Sequence, residues 1–131
     1  MTIGVRGMVL DRTGRVLLIR PNYVPNWNLP GGGIERRETA IAALKRELNE
    51  EAAVTLTGPP ALFGVYSNEK RFRGDHVALY VVRDFEIGTF HPTIEIGDAR
   101  FYDVRSLPQV SEGTWRRIEE VTKGMTPAEY W

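Results

Sequence analysis

The stretch GGGIERRETAIAALKRELNEEAAV, residues 31–54, carries the organisation of the chain. Three glycines lead into helical periodicity over residues 39–52. Ile41, Leu44, Leu48 and Ala52 fall on one stripe, and Thr39 stands where an N-cap belongs. The segment ends in three glutamates. At about 100° per residue, Glu50 lies about 60° to one side of Glu47 and Glu51 about 40° to the other. The three carboxylates therefore share one narrow arc. Ala40 and Ala43 lie along the same side, and their small side chains leave space above the helix. The apolar stripe is centred about 110° away, so one side faces a core while the acids face a cleft.

Like charges three and four residues apart on a helix repel by a few tenths of a kcal/mol, and more when partly buried. A solvated acidic face, partnered by Lys45 and Arg46, is the ordinary explanation of such a cluster. A hard divalent cation is the other. Mg²⁺ takes oxygen ligands, keeps several waters and works beside substrate phosphates. Clustered carboxylates next to a glycine-rich loop suit a metal–phosphate site.

Working outward, residues 2–10 and 16–19 are apolar, and Asp11-Arg12-Thr13-Gly14-Arg15 between them signals a hairpin. Residues 21–33 are dense in Pro, Asn and Gly and read as loop, with a short extended piece at Trp27-Asn28-Leu29. Gly58-Pro59-Pro60 breaks the chain. Residues 61–66 and 76–84 predict strands, the second buried, with a polar, basic loop between them. Residues 99–104 predict a last strand. Ser111 opens a second helix to about Lys123, with Trp115, Ile118 and Val121 or Thr122 facing inward. Strands outnumber helices and separate them. This predicts an α/β (α+β) class: a mixed central sheet with a helix on each face.

The 131 residues suit one domain, residues 1–131, with a real core. Hydrophobic residues make up 42% and charged residues 26%, which excludes a disordered or fibrous chain. Seventeen basic residues balance seventeen acidic ones, so net charge argues for no nucleic-acid or membrane partner. The absence of cysteine excludes disulfides, thiolate chemistry and Cys-based zinc sites. No apolar run reads as a signal peptide or a membrane span, and the cytoplasm is the default location.

The stretch resembles the Nudix box, G-x5-E-x7-R-E-U-x-E-E-x-G-U, with U a bulky apolar residue. Gly32, Glu38, Arg46, Glu47, Leu48, Glu50, Glu51 and Val54 match it in register over residues 32–54. Six exact letters at fixed spacing make coincidence on the order of one in ten million per start position. Leu29-Pro30-Gly31-Gly32-Gly33 before the box, and Leu107-Pro108 ahead of the final helix, are similar to the family as well. One position departs from the pattern: Ala53 stands where the family has its second glycine. That glycine ends the helix, where positive φ is common, so Ala53 either costs roughly 1 kcal/mol there or lets the helix run on.

The resemblance implies a Nudix-like α/β/α sandwich. It also implies hydrolysis of a pyrophosphate bond in a nucleoside diphosphate linked to X, with Mg²⁺, or Mn²⁺ in its place, as cofactor. Glu51 and Glu50 are then the main metal ligands, and Glu47 a further ligand or the base that activates water. The Gly31 carbonyl reaches the metal, Arg46 orients a neighbouring glutamate, and Glu38 braces the loop. Gly32 is structural within the motif. Similar proteins often use a later acidic residue as ligand or base, and Glu95 is the best match, ahead of Glu86 and Asp98.

For the substrate, Arg71 and Arg73 are candidates to hold the distal phosphate, against a plain solvated loop. Tyr23, Trp27 and Phe72 are candidates to stack on a base, against ordinary packing. Position 70 is Lys, so neither the proline marker for ADP-ribose nor the tyrosine marker for diadenosine polyphosphates is present. The resemblance thus leaves the nucleotide substrate unassigned, with a nucleoside triphosphate and a nucleotide sugar among the candidates. The expected partner is therefore a small nucleotide diphosphate, with no membrane or nucleic-acid partner. Dimers are common among similar proteins, and a homodimer is the expectation. The competing function is a Nudix-like sensor that binds a nucleotide without cutting it; retention of every box acid argues for catalysis.

Overall fold

Alternation along Val5-Arg6-Gly7-Met8-Val9-Leu10 places Val5 and Val9 on one face and Met8 and Leu10 on the other. All four apolar side chains are buried. A strand apolar on both faces belongs in the middle of a layered structure. The computed structural model, which describes residues 1–131, places it there. The elements in chain order are β1 (Thr2–Val9), β2 (Arg15–Pro21), β3 (Gly31–Gly33), α1 (Ala40–Ala52) and β4 (Val54–Leu56). They continue with β5 (Ala61–Ser67), β6 (Asp75–Val82), β7 (Phe85–Ile87), β8 (Ile96–Asp103) and α2 (Glu112–Thr122).

The central sheet has the order β3-β1-β6-β5. β1 and β6 run parallel, while β3 and β5 are antiparallel to their neighbours. One core joins Val5, Val9, Ala78 and Tyr80 to Leu44 and Leu48 of α1. The other joins Met8, Leu18, Tyr66 and Leu79 to Ile118 of α2. The sheet is thus mixed, with a helix packed on each side. Each fully buried leucine contributes about 1.5–3 kcal/mol to holding these layers together. No helix is long and apolar enough to cross a membrane.

Several local expectations need correction. The 11–15 turn forms, with Asp11 Oδ1 accepting from the Thr13 and Arg15 N–H groups at 2.9 Å and Gly14 at φ 81°. It does not close a hairpin. Both edges of β1 are already taken by β3 and β6, so only a Leu10–Val16 bridge forms, and β2 pairs with β8 instead. Gly31–Gly33 is a strand rather than loop, because β1 offers it a free edge. β8 begins at Ile96, three residues before the predicted start, and the short β4–β7 ribbon was not predicted. Ile41 is 42% exposed, whereas Ala43 is fully buried. The buried stripe of α1 is therefore Ala43, Leu44, Leu48 and Ala52, turned toward the side where alanines were expected to leave open space. In α2, Trp115 is 49% exposed, and the inner face carries Thr114, Arg117, Ile118 and Glu120.

The helix caps follow their chemistry. Thr39 and Ser111 accept from the N–H groups of Ala42 and Thr114. At the other end of α1, Ala53 adopts φ 54° and ψ 35°, the left-handed conformation that favours glycine. The helix therefore stops where the box pattern has its second glycine, with a strained residue closing it. Ala53→Gly is expected to raise stability by about 1 kcal/mol, read as a higher urea midpoint with unchanged slope.

Candidate functional site

The acidic end of α1 lies along the open edge of β3, and a short hydrogen bond ties Glu51 to that strand. The Gly31 N–H donates to Glu51 Oε1 at 2.7 Å. A side chain at Gly31 would overlap the Val5 carbonyl oxygen, and one at Gly32 would fall 2.5 Å from Glu47 Oε1. The missing side chain at Gly32 lets Glu47 come this close to the strand, and the missing one at Gly31 lets the strand lie against β1.

Arg46 organises the outer half of the site. Its Nε and Nη2 donate to the two oxygens of Glu38 at 2.8 and 2.9 Å, and its Nη1 donates to Glu47 Oε1 at 2.8 Å. Nη2 also reaches the Gly33 carbonyl at 3.1 Å. These bonds tie the 33–38 loop to the helix. The hydrogen bonds from Arg46 hold the Glu38 carboxyl down at about 2, and those same bonds raise the Arg46 guanidinium above its ordinary value. Glu38 also accepts from the Glu35 N–H at 3.0 Å. Glu50 lies 3.7 Å from Arg46, and its side chain is 60% exposed.

Glu51 is the unusual carboxylate. Burial pushes it up to about 7; the Gly31 N–H and Arg6 oppose that, and Glu47 and Glu95 reinforce it. Its Oε1 takes the Gly31 bond, and Oε2 has no hydrogen-bond partner. Glu47, Glu50, Glu51 and Glu95 line one cleft of about 600 Å³, closed on the far side by Thr93, Ile94 and Ile96. Glu95 sits just before β8, where Asn22 pins the loop: its side chain donates to the carbonyls of Thr93 and Ile94, and its N–H donates to the Glu95 carbonyl.

The donor set fits a hard divalent cation. It offers only carboxylate and carbonyl oxygens, and a desolvated carboxylate beside two like charges is relieved by positive charge. As they stand, no three of the acids are close enough together to share an ion. Glu47 is held by Arg46 and Glu51 by Gly31, so an arriving cation competes with those partners. Mg²⁺, which keeps several waters, needs few direct carboxylates.

The other sequence candidates lie elsewhere. Trp27 packs edge-on against Tyr102 at 5.0 Å between ring centroids, with Arg20 over its other side, so it is a packing residue here. Tyr23 is 79% exposed. Arg71, Phe72 and Arg73 sit on the exposed 68–74 loop, where Arg71 covers the Phe72 ring. None of these five lines the acidic cleft. Sequence reading missed Arg6, whose Nη1 donates to the Leu29 carbonyl at 2.8 Å. The available signal was a lone cation inside an apolar strand. It also missed the 93–96 wall, whose placement depends on β2 pairing with β8.

A model of the NUDIX domain matches residues 1–124. An ADP-ribose pyrophosphatase of Methanocaldococcus jannaschii is 29% identical over 107 residues, covering 79% of this chain and 63% of that protein. A putative 8-oxo-dGTP diphosphatase of Bacillus subtilis is 36% identical over 69 residues, covering 53% of this chain and 46% of that protein. The chain thus spans less than two thirds of the length of these curated relatives. Among solved structures, a MutT NUDIX hydrolase from Burkholderia pseudomallei superposes with a TM-score of 0.78 at 24% identity, covering 92% of this chain and 97% of that one. That likeness speaks to the fold.

Proposed function

The chain belongs to the NUDIX family, and from that premise we propose that it hydrolyses a pyrophosphate bond in a nucleoside diphosphate linked to a further group. The observation that carries the reading is the 600 Å³ cleft walled by Glu47, Glu50, Glu51 and Glu95, with a desolvated Glu51 at its base. A solvated acidic face has no use for a half-buried carboxylate bonded to a glycine strand. A sensor has no need of so many acids in one cleft.

Glu51, Glu50, Glu47 and the Gly31 carbonyl are the oxygens that would hold a divalent cation, Mg²⁺ or Mn²⁺. When bound, the cation draws charge from the phosphoryl oxygens and lowers the pKa of water. Arg46 orients the Glu47 carboxylate, and Glu38 orients Arg46, through the hydrogen bonds with which an arriving cation competes. Glu47 and Glu95 line the same cleft, which supports a reading in which one of the two carboxylates takes the proton of the attacking water. Arg71, Arg73 and Phe72 lie on the 68–74 loop outside the acidic cleft, and they would meet a distal phosphate or a base only on a substrate that extends beyond it. The same reading carries one Nudix domain over residues 1–131, a homodimeric assembly and a cytoplasmic location.

The substrate class is a nucleoside triphosphate, a nucleotide sugar or a related compound. The named activities of the relatives, on ADP-ribose and 8-oxo-dGTP, belong in the first panel tested. Release of phosphate or nucleoside monophosphate is expected with Mg²⁺ and is expected to be lost on chelation. Binding without turnover across the panel would assign the chain to the sensing class instead.

A further inference from the structure

Glu47 and Glu51 are each held in the acidic cleft by a hydrogen bond of their own, from Arg46 and from the Gly31 N–H. Glu95 lines the same cleft, but its carboxylate has no hydrogen-bond or ion-pair partner in the protein. Where that carboxylate sits is set by the backbone of residues 93–96. Thr93, Ile94 and Glu95 are exposed, so the turn is only as rigid as the bonds it makes. It closes on itself through two of them. The Thr93 N–H donates to the Ile96 carbonyl at 2.9 Å, and the Ile96 N–H donates to Thr93 Oγ1 at 3.0 Å. Asn22, just past the end of β2, then ties three consecutive carbonyls to the sheet. Its Nδ2 donates to those of Thr93 and Ile94 at 3.0 and 2.8 Å, and its N–H donates to that of Glu95 at 2.9 Å.

The neighbouring strand leaves room for that amide. Arg20 faces Asp98 and Pro21 faces Ile96, so Gly97 is the extra residue of a bulge in β8. A side chain at Gly97 would fall 2.4 Å from Asn22 Oδ1. Pro21 has no N–H to continue the ladder, and beyond the bulge the pairing passes to Asn22. Bulges re-aim the side chains beside them, and the residues beside this one are those of the 93–96 wall. A turn stapled for stability alone would have no reason to present an unpartnered carboxylate to a cleft already lined by Glu47, Glu50 and Glu51. Repulsion among the four acids opposes that placement, and the bonds from Asn22 hold it.

We propose that Asn22, seated in the space that Gly97 leaves, is a positioning residue that holds the Glu95 carboxylate against the attacking water. This rests on the reading of the chain as a diphosphate hydrolase in which Glu95, rather than Glu47, takes the water's proton. Glu47 is already engaged by Arg46, whereas both oxygens of Glu95 are open. In that step the water oxygen bonds to one phosphorus, and the bridging P–O bond breaks with its electron pair leaving on the departing phosphate. The water's proton passes to Glu95. A base works only within hydrogen-bond reach of its proton, and a displacement of about 1 Å costs up to about a hundredfold in rate.

The test is a kinetic cycle on the nucleotide that the full chain hydrolyses best, with Asn22→Ala, Glu95→Gln and the two combined. Glu95→Gln is expected to lower kcat at least about a hundredfold, as loss of a general base does. Asn22→Ala removes the two side-chain bonds to the turn, and it is expected to lower kcat about tenfold with KM little changed. Added to Glu95→Gln, it is expected to cost nothing further, because the group it positions is already gone. Amide hydrogen exchange gives a readout apart from turnover. The Thr93 and Ile96 N–H groups are expected to exchange about tenfold faster in Asn22→Ala and at the parent's rate in Glu95→Gln. Gly97→Ala displaces the free end of the Asn22 side chain and is expected to repeat the loss of kcat; it decides the matter should Asn22→Ala not fold. Equal losses from Asn22→Ala with and without Glu95 overturn the proposal, as does unchanged exchange in the turn. Full turnover in Glu95→Gln overturns it too, and leaves the hydrolase standing with Glu47 as base. A parent that hydrolyses no nucleotide diphosphate removes the hydrolase reading and this inference with it.

Discussion

Turnover of the preferred nucleotide is expected to fall at least about a hundredfold when Glu51 becomes glutamine, on the scale of other lost electrostatic groups. The substitution is conservative where structure is concerned. A glutamine carbonyl can still accept from the Gly31 N–H, so the 2.7 Å link between α1 and β3 survives. What disappears is the negative charge at the base of the cleft. A second, independent readout comes from stability without metal. The Glu51 carboxyl is raised by burial to about 7 from an ordinary 4.5, so the folded state holds this proton more tightly than the unfolded chain. Below about pH 4.5 the group is neutral in both states and costs nothing. As pH rises from there through 7, the metal-free protein loses stability, on the order of 3 kcal/mol in all. Glu51→Gln removes that loss. The variant is therefore expected to be more stable than its parent in EDTA at pH 8, and indistinguishable from it near pH 4. Turnover near the parent's level would remove Glu51 from the centre of the site. A parent stability that does not fall across this range would remove the buried charge.

Local spacing is what separates the parts of this protein that are legible in its sequence from those set by long-range pairing. The box positions are fixed by local spacing. A helix of 3.6 residues per turn puts Glu47, Glu50 and Glu51 together whatever surrounds it, and Thr39 and the Gly31–Gly33 run mark where that helix begins. The face of α1 that is buried was read wrongly at Ile41 and Ala43. Both are apolar, and which one meets the sheet depends on where β3 docks. Pairing was harder still. The Asp11–Arg15 turn carries every local mark of a hairpin, but β1 has no free edge left once β3 and β6 are in place. The 93–96 wall follows from that same long-range choice, since it is β2 that holds β8 beside the helix. Arg6 and Arg117 were passed over for a different reason. A charged residue inside an apolar pattern reads as a surface position until its buried partners are known.

Arg117 provides the second large effect, on folding rather than chemistry. It is 1% exposed, on the inner face of α2, and Glu120 beside it is 5% exposed. The guanidinium lies over the rings of Tyr66 and Trp131, at 4.4 and 5.1 Å from their centroids. Its Nε approaches Glu120 Oε1 at 2.9 Å, in an ion pair whose N–H is not aligned as a hydrogen bond, and Nη2 donates to Oε2 at 3.3 Å. Glu120 also accepts from the Tyr66 hydroxyl at 2.7 Å and from the Ala128 N–H at 2.9 Å. Nη1 donates to the Tyr130 carbonyl, and the tail closes the arrangement by pairing with Ser67 at the end of β5. The pair thus stitches α2, β5 and residues 128–131 into one unit. Arg117→Ala strands a buried carboxylate, and it is expected to cost about 3–5 kcal/mol, read from urea denaturation. Replacing both partners is expected to cost much less than Arg117→Ala alone, because Arg117→Met with Glu120→Leu leaves no charge unpaired. Tyr66 would then lose its acceptor, so part of the deficit is expected to remain, about 1–3 kcal/mol for the stranded hydroxyl. If the single and double variants were equally unstable, packing of the arginine against the two rings, rather than the ion pair, would be what holds this side of the sheet.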